Sequence, residues 1–125
     1  MGREKKGFVG KVGYCTNRVL GIRNHNGGYS GGHYVYIRKY KNGKCDLNVI
    51  TSLENLNGHY QAEKINKVKR GYLYPIPKKD GNFTQWSAIN LDGNVRGIDI
   101  NDIQDIGKRS FKKRHRFFVG KFTKN

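Results

Sequence analysis

Hydrophobic and polar residues alternate along this chain with the two-residue period of β-strands, and turn dipeptides interrupt the pattern. The clearest stretch is His33-Tyr34-Val35-Tyr36-Ile37-Arg38-Lys39-Tyr40, a β-branched and aromatic run of the kind strands favour. Lys41-Asn42-Gly43-Lys44 follows as a turn, because Asn-Gly accepts the positive φ values of a tight hairpin. Cys45-Asp46-Leu47-Asn48-Val49-Ile50-Thr51 then returns, with polar residues set against Leu47 and Val49. Asp80-Gly81 and Asp92-Gly93 carry the same hairpin signal. Further strands are predicted over residues 8–15, 71–75, 86–91, 95–98 and 115–122. The stretch 54–68 is ambiguous and has room for a short helix. Ile100, Ile103 and Ile106 recur every third residue, which predicts a short helix or 3₁₀ turn over 99–106, capped by Asp99 or Asn101. Many short strands and little helix predict a mainly β fold: a small antiparallel barrel with one or two short helices. No repeat or shift in composition divides the 125 residues, so one domain, 1–125, is expected. The basic segment 108–125 packs on it or extends from it.

Charge changes the picture most. There are 25 Lys and Arg against 9 Asp and Glu, a formal net charge of +16. A folded domain gives up stability to hold such a charge. A polyanionic partner accounts for it, since cations that neutralise phosphates release condensed counterions. Nucleic acid is the expected partner, RNA before DNA; an acidic protein or acidic lipid is the competing one. No apolar run approaches the roughly 20 residues of a membrane span. The opening MGREKKGFVG has no apolar signal-peptide core, and Lys6 stands where a myristoylation motif needs Ser or Thr. A cytoplasmic protein with no membrane contact is expected. Cys15 and Cys45 lack CxxC spacing and a neighbouring His pair, which argues against a zinc site and predicts free buried thiols. A disulfide stays open should two strands bring them together. No metal and no cofactor is expected.

Three regions carry candidate chemistry. Lys108, Arg109, Lys112, Lys113, Arg114 and Arg116 are interleaved with Phe111, Phe117 and Phe118. Cations fix phosphates, and aromatic faces stack on unpaired bases. Lys78 and Lys79 add to this nucleic-acid-binding set. The Asn- and Gly-rich loop 17–32 is long for a hairpin connection, which favours a mobile binding loop with Tyr29 as a base or phosphate contact. It matches neither the P-loop nor the dinucleotide fingerprint. Of the four histidines, His33 is the best acid–base candidate, because it stands where this loop enters a strand. One hairpin away, the returning strand ends in Thr51-Ser52, which the open end of the hairpin places near His33. A hydroxyl, an imidazole and the guanidinium groups of Arg23 and Arg38 suffice for metal-free RNA cleavage, with the arginines as phosphate clamps.

At these residues the chain resembles the MazF/PemK-like toxins. The resemblance rests on Gly32-His33-Tyr34-Val35-Tyr36-Ile37 after a loop, on Val49-Ile50-Thr51-Ser52 at a strand end, and on Trp86-Ser87-Ala88-Ile89-Asn90-Leu91, Val95-Arg96-Gly97-Ile98-Asp99 and Ile103. It implies an SH3-like barrel and metal-independent cleavage of single-stranded RNA, with Thr51 in the active site. The Arg-Pro that the family usually places at the strand start is replaced by His33-Tyr34. The family's arginine is therefore not carried over, and His33, Arg23 or Arg38 must supply the cation. A homodimer and an acidic antitoxin-like protein join nucleic acid as expected partners. The alternative is a non-enzymatic DNA- or RNA-binding accessory protein on the same barrel.

Overall fold

The structure, a computed structural model, describes residues 7–24, 26–54, 59–76, 83 and 85–110. The predicted strand 115–122, the turn Asp80-Gly81, and Lys78, Lys79, Lys112, Lys113, Arg114 and Arg116 lie outside the described residues.

The fold is mainly β and barrel-like. Its strands are β1 (Lys11–Thr16), β2 (Gly32–Lys41), β3 (Lys44–Ser52), β4 (Leu73–Ile76), β5 (Ser87–Asp99) and β6 (Gln104–Ser110). They form one sheet in the order β4-β5-β3-β2-β1-β6, antiparallel at every step. Helix α1 (Asn17–Leu20) follows β1, and α2 (Ala62–Lys69) lies between β3 and β4.

The β2–β3 hairpin forms where the pattern predicts it. Asn42 and Gly43 have φ of 52° and 80°, the left-handed pair whose twist matches that of the flanking strands. Val35 pairs with Val49 and Ile37 with Leu47; a bulge at Arg38 then shifts the register, and Tyr40 pairs with Cys45. Alternation sends the two strands' side chains into two apolar clusters on opposite faces of the sheet. Val12, Tyr36, Ile50, Ile76 and Ile89 share one. Cys15, Val35, Ile37, Cys45, Leu47 and Ile103 share the other. Each fully buried aliphatic side chain contributes on the order of 1.5–3 kcal/mol. Both cysteines are buried free thiols, pushed up by burial to about 12 at Cys15 and about 11 at Cys45. At the loop's junction with β2, Gly32 is required for space: a Cβ there would collide with the Cys15 carbonyl and the Tyr14 ring.

Three expectations are corrected. Residues 17–32 are not all loop: Asn17–Leu20 form α1, because the Thr16 hydroxyl caps its start and Gly21 ends it in the left-handed region. Asp92-Gly93 is not a hairpin turn, and the two strands expected on either side of it are one, β5. Asn48 pairs with Asn94 and Ile50 with Ile89, so residues 90–93 bulge opposite Val49 alone. The cause is Asn48, fully buried, whose Nδ2 donates to the Asn90 carbonyl at 3.0 Å and to Asn94 Oδ1 at 2.8 Å. Both ends of the bulge are thereby tied to β3, and the chain keeps pairing instead of reversing. The helical turn expected over 99–106 stops at the 3₁₀ turn Ile100–Asp102, capped by Asp99 Oδ1 accepting from the Asn101 N–H at 2.9 Å. Asp105 and Gly107 take φ of 53° and 89°, which no helix accommodates, and β6 runs from Gln104. Ile100, Ile103 and Ile106 still reach one apolar cluster.

Candidate functional site

Beside the open end of the β2–β3 hairpin lies a cavity of about 400 Å³, with apolar walls of Ile22, Val49, Leu73 and Val95. Its polar lining is His33, Thr51, Lys64, Lys67, Asn90 and Asn94, with no carboxylate among them. The β2–β3 ladder ends at Val35–Val49; His33 and Thr51 stand two residues beyond it on their strands, and both line the cavity. Side chains two apart on a strand share a face, so both point to the side where Val35 and Val49 lie. That these two residues meet at the open end of one hairpin is legible in the sequence.

The cation at the site is not. Lys64 reaches in from α2, and its Nζ donates to Thr51 Oγ1 at 2.8 Å and to the Ser52 carbonyl at 2.9 Å. Helix α2 is held by Ile65 and Val68, which pack with Trp86 against Leu53, Leu73 and Ala88. Lys64 and Lys67, three apart on the adjoining face, are thereby aimed at the cavity. The Ile65/Val68 spacing signals an amphipathic turn, but which strand end that turn meets is set by tertiary packing. Asn90 and Asn94 reach the cavity through the β5 bulge, which the Asp92-Gly93 dipeptide disguises as a turn.

The electrostatics favour an anion. Burial lowers the pKa of Lys64 from the ordinary lysine value, and the charge of Lys67 lowers it further. Burial also lowers His33; a hydrogen bond to the Ile50 backbone opposes this, and the Lys64 charge adds to the lowering. The net lowering shifts His33 toward the uncharged imidazole, the form that accepts a proton. Because Thr51 Oγ1 accepts from Lys64, its own O–H is free to donate to a ligand oxygen. Among the described residues no three His, Cys, Asp or Glu side chains gather as a metal ligand set.

The expected clamps are elsewhere. Arg38 stands at the β2 bulge, about 16 Å along the strand from His33 at a rise of roughly 3.3 Å per residue. Its side chain is 6% exposed and faces Asp46 at 3.9 Å, outside the cavity lining. Arg23 belongs to the loop between α1 and β2, where its Nη1 donates to the Gly27 carbonyl at 2.8 Å and its guanidinium lies over the Tyr29 ring at 4.5 Å. That loop is organised by side-chain hydrogen bonds: Asn17 Nδ2 donates to the Ser30 carbonyl at 2.8 Å and Asn24 Nδ2 to Ser30 Oγ at 2.8 Å. Lys108 is exposed and pairs with Asp105 at 3.1 Å, and Arg109 pairs with Val12 across β6 and β1. Among the described residues no helix is long and apolar enough to cross a membrane. Comparison with models of known protein families and with curated proteins finds no match to this chain.

Proposed function

We propose that this is a nucleic-acid-binding barrel of MazF/PemK-like type that cleaves single-stranded RNA at the His33–Thr51–Lys64 cavity without a metal ion. The observation that carries the reading is the contact of Lys64 Nζ with Thr51 Oγ1, at 2.8 Å, in a cavity that also holds a lowered-pKa histidine. Lys64 supplies the cation for which the sequence offers no arginine at the strand start. In the reaction, His33 takes the proton of the ribose 2′-OH, and the 2′-oxygen attacks phosphorus. The bond from phosphorus to the 5′-oxygen breaks, and the proton passes to that oxygen. Lys64 and the Thr51 hydroxyl offset the charge that develops on the non-bridging oxygens. The products are a 2′,3′-cyclic phosphate and a 5′-hydroxyl.

The test is incubation of nuclease-free preparations with mixed-sequence RNA in EDTA, with the ends of the fragments identified. Cleavage with those ends is expected. His33→Ala should slow it by on the order of 10²-fold or more, and Lys64→Gln by about 10²–10³-fold. Thr51→Val should lower the rate while RNA affinity holds, because its hydroxyl acts on the transition state. Absence of cleavage by the wild-type protein, or cleavage indifferent to all three substitutions, defeats the enzymatic reading. The net charge of +16, far more than one cavity uses, favours the second reading in that event: a non-enzymatic nucleic-acid binder on the same barrel.

A further inference from the structure

Helix α1 and the loop that follows it carry a second basic feature outside the cavity. The Arg18 guanidinium lies 5.2 Å and the Arg23 guanidinium 4.5 Å from the centroid of the one Tyr29 ring. Two like charges on a single ring repel each other, and among the described residues no carboxylate pairs with either. The ring attraction, roughly 0.5–1 kcal/mol at an exposed site, orients each fork without neutralising it. Each guanidinium has five N–H donors. Arg23 spends one of its own on the Gly27 carbonyl. The scaffold is fixed: Thr16 Oγ1 accepts from the Val19 N–H at 3.3 Å at the start of α1, and the Asn17 and Asn24 amides hold Ser30. Two oriented, unneutralised guanidinium forks over an aromatic face have the chemistry of a phosphodiester site. Its place matters as well. Ile22, the residue before Arg23, is a wall of the His33 cavity, so the chain runs directly from that wall to the Arg23 clamp.

We propose that Arg18 and Arg23, held on Tyr29, bind a backbone phosphate of the same RNA strand, next to the nucleotide seated in the His33 cavity. This rests on the RNA reading above for the identity of the strand. Arg23 is then a phosphate clamp, but for a flanking phosphate and not the one under attack.

The experiment measures binding by fluorescence anisotropy, using 2′-O-methyl oligoribonucleotides that cannot be cleaved. A dinucleotide fills the cavity alone, and a hexanucleotide reaches the cluster. In the Arg18→Gln/Arg23→Gln double variant, the ratio of hexanucleotide to dinucleotide affinity should fall by about tenfold or more. The salt slope for the hexanucleotide should flatten by about 0.7, the value for one single-strand phosphate no longer neutralised. Tyr29→Leu should give part of the same loss, and Tyr29→Phe, which keeps the ring, should restore it. Native near-UV circular dichroism certifies that each variant is folded. An unchanged ratio and slope in folded double variant overturns the subsite, even if wild-type protein cleaves RNA. Wild-type protein that binds the hexanucleotide through these arginines yet never cleaves RNA keeps the subsite and defeats the enzymatic reading. A wild-type protein that binds neither oligonucleotide overturns both.

Discussion

His33 and Lys64 act at the scale of single residues, and their shifts make a pH prediction with a definite sign. Both pKa values are lowered from the ordinary 6.5 and 10.5, mainly by burial. In the proposed reaction His33 must be neutral to accept the 2′ proton, so the rate should climb as pH rises through a value below 6.5. Lys64 must be charged, so the rate should fall again below 10.5. A bell-shaped profile of kcat/KM with both limbs displaced to acid is expected. Lys64→Arg keeps its charge across this range, and it should abolish the alkaline limb even if it lowers the plateau. An alkaline limb that survives in the arginine variant would assign it to another group. The same shift bears on stability. A folded-state pKa below the unfolded value means that protonation of His33 favours the unfolded chain. Its contribution is therefore present above 6.5 and lost as pH falls through the folded value.

At the scale of elements, the β5 bulge decides the shape of the site, and one side chain holds the bulge. Asn48 is fully buried, and its amide joins residues 90 and 94 to β3. Asn48→Ala removes both hydrogen bonds and leaves the Asn90 carbonyl without this donor. A loss of about 2–3 kcal/mol is expected, read as a lower urea midpoint at unchanged slope. In the folded fraction RNA affinity should fall too, because Asn90 and Asn94 lose their placement on the cavity wall. A stability loss with affinity intact would mean that the bulge shapes the sheet and not the site. Asp92-Gly93 misleads at this scale, because a dipeptide that favours positive φ marks a bulge as readily as a hairpin. The difference lies in a partner more than forty residues away, which local pattern does not contain. For α2 the limit is similar: its two inward apolar residues fix one face, but the neighbours that receive them are Leu53, just after β3, and residues of β4 and β5.

For the whole molecule the governing quantity is charge. With +16 on 125 residues, affinity for any nucleic acid should fall steeply with salt. Replacing Lys112, Lys113, Arg114 and Arg116 with Ser should weaken binding across all sequences and flatten the log–log salt slope by about 3, in proportion to the four cations removed. Cleavage of a dinucleotide, which touches only the cavity, should be far less affected than binding of a long strand. An unchanged slope would make this basic run a solvated surface with no part in the interface. On the proposed reading, the two effects separate a long-range field that gathers the polyanion from a cavity that acts on it.

The mainly β class, the Asn42-Gly43 hairpin, the nearness of His33 and Thr51 at its open end and the overall charge are all written in the sequence. They follow from local alternation, turn chemistry and composition, which act over a few residues or over none in particular. Tertiary packing alone settles that Lys64 is the cation at Thr51, that Arg38 faces Asp46, that Arg23 joins Arg18 on Tyr29, and that β5 bulges instead of turning. A side chain's partner depends on which elements the fold brings alongside it, and a lysine on a helix reads the same in sequence whether it faces water or a threonine hydroxyl.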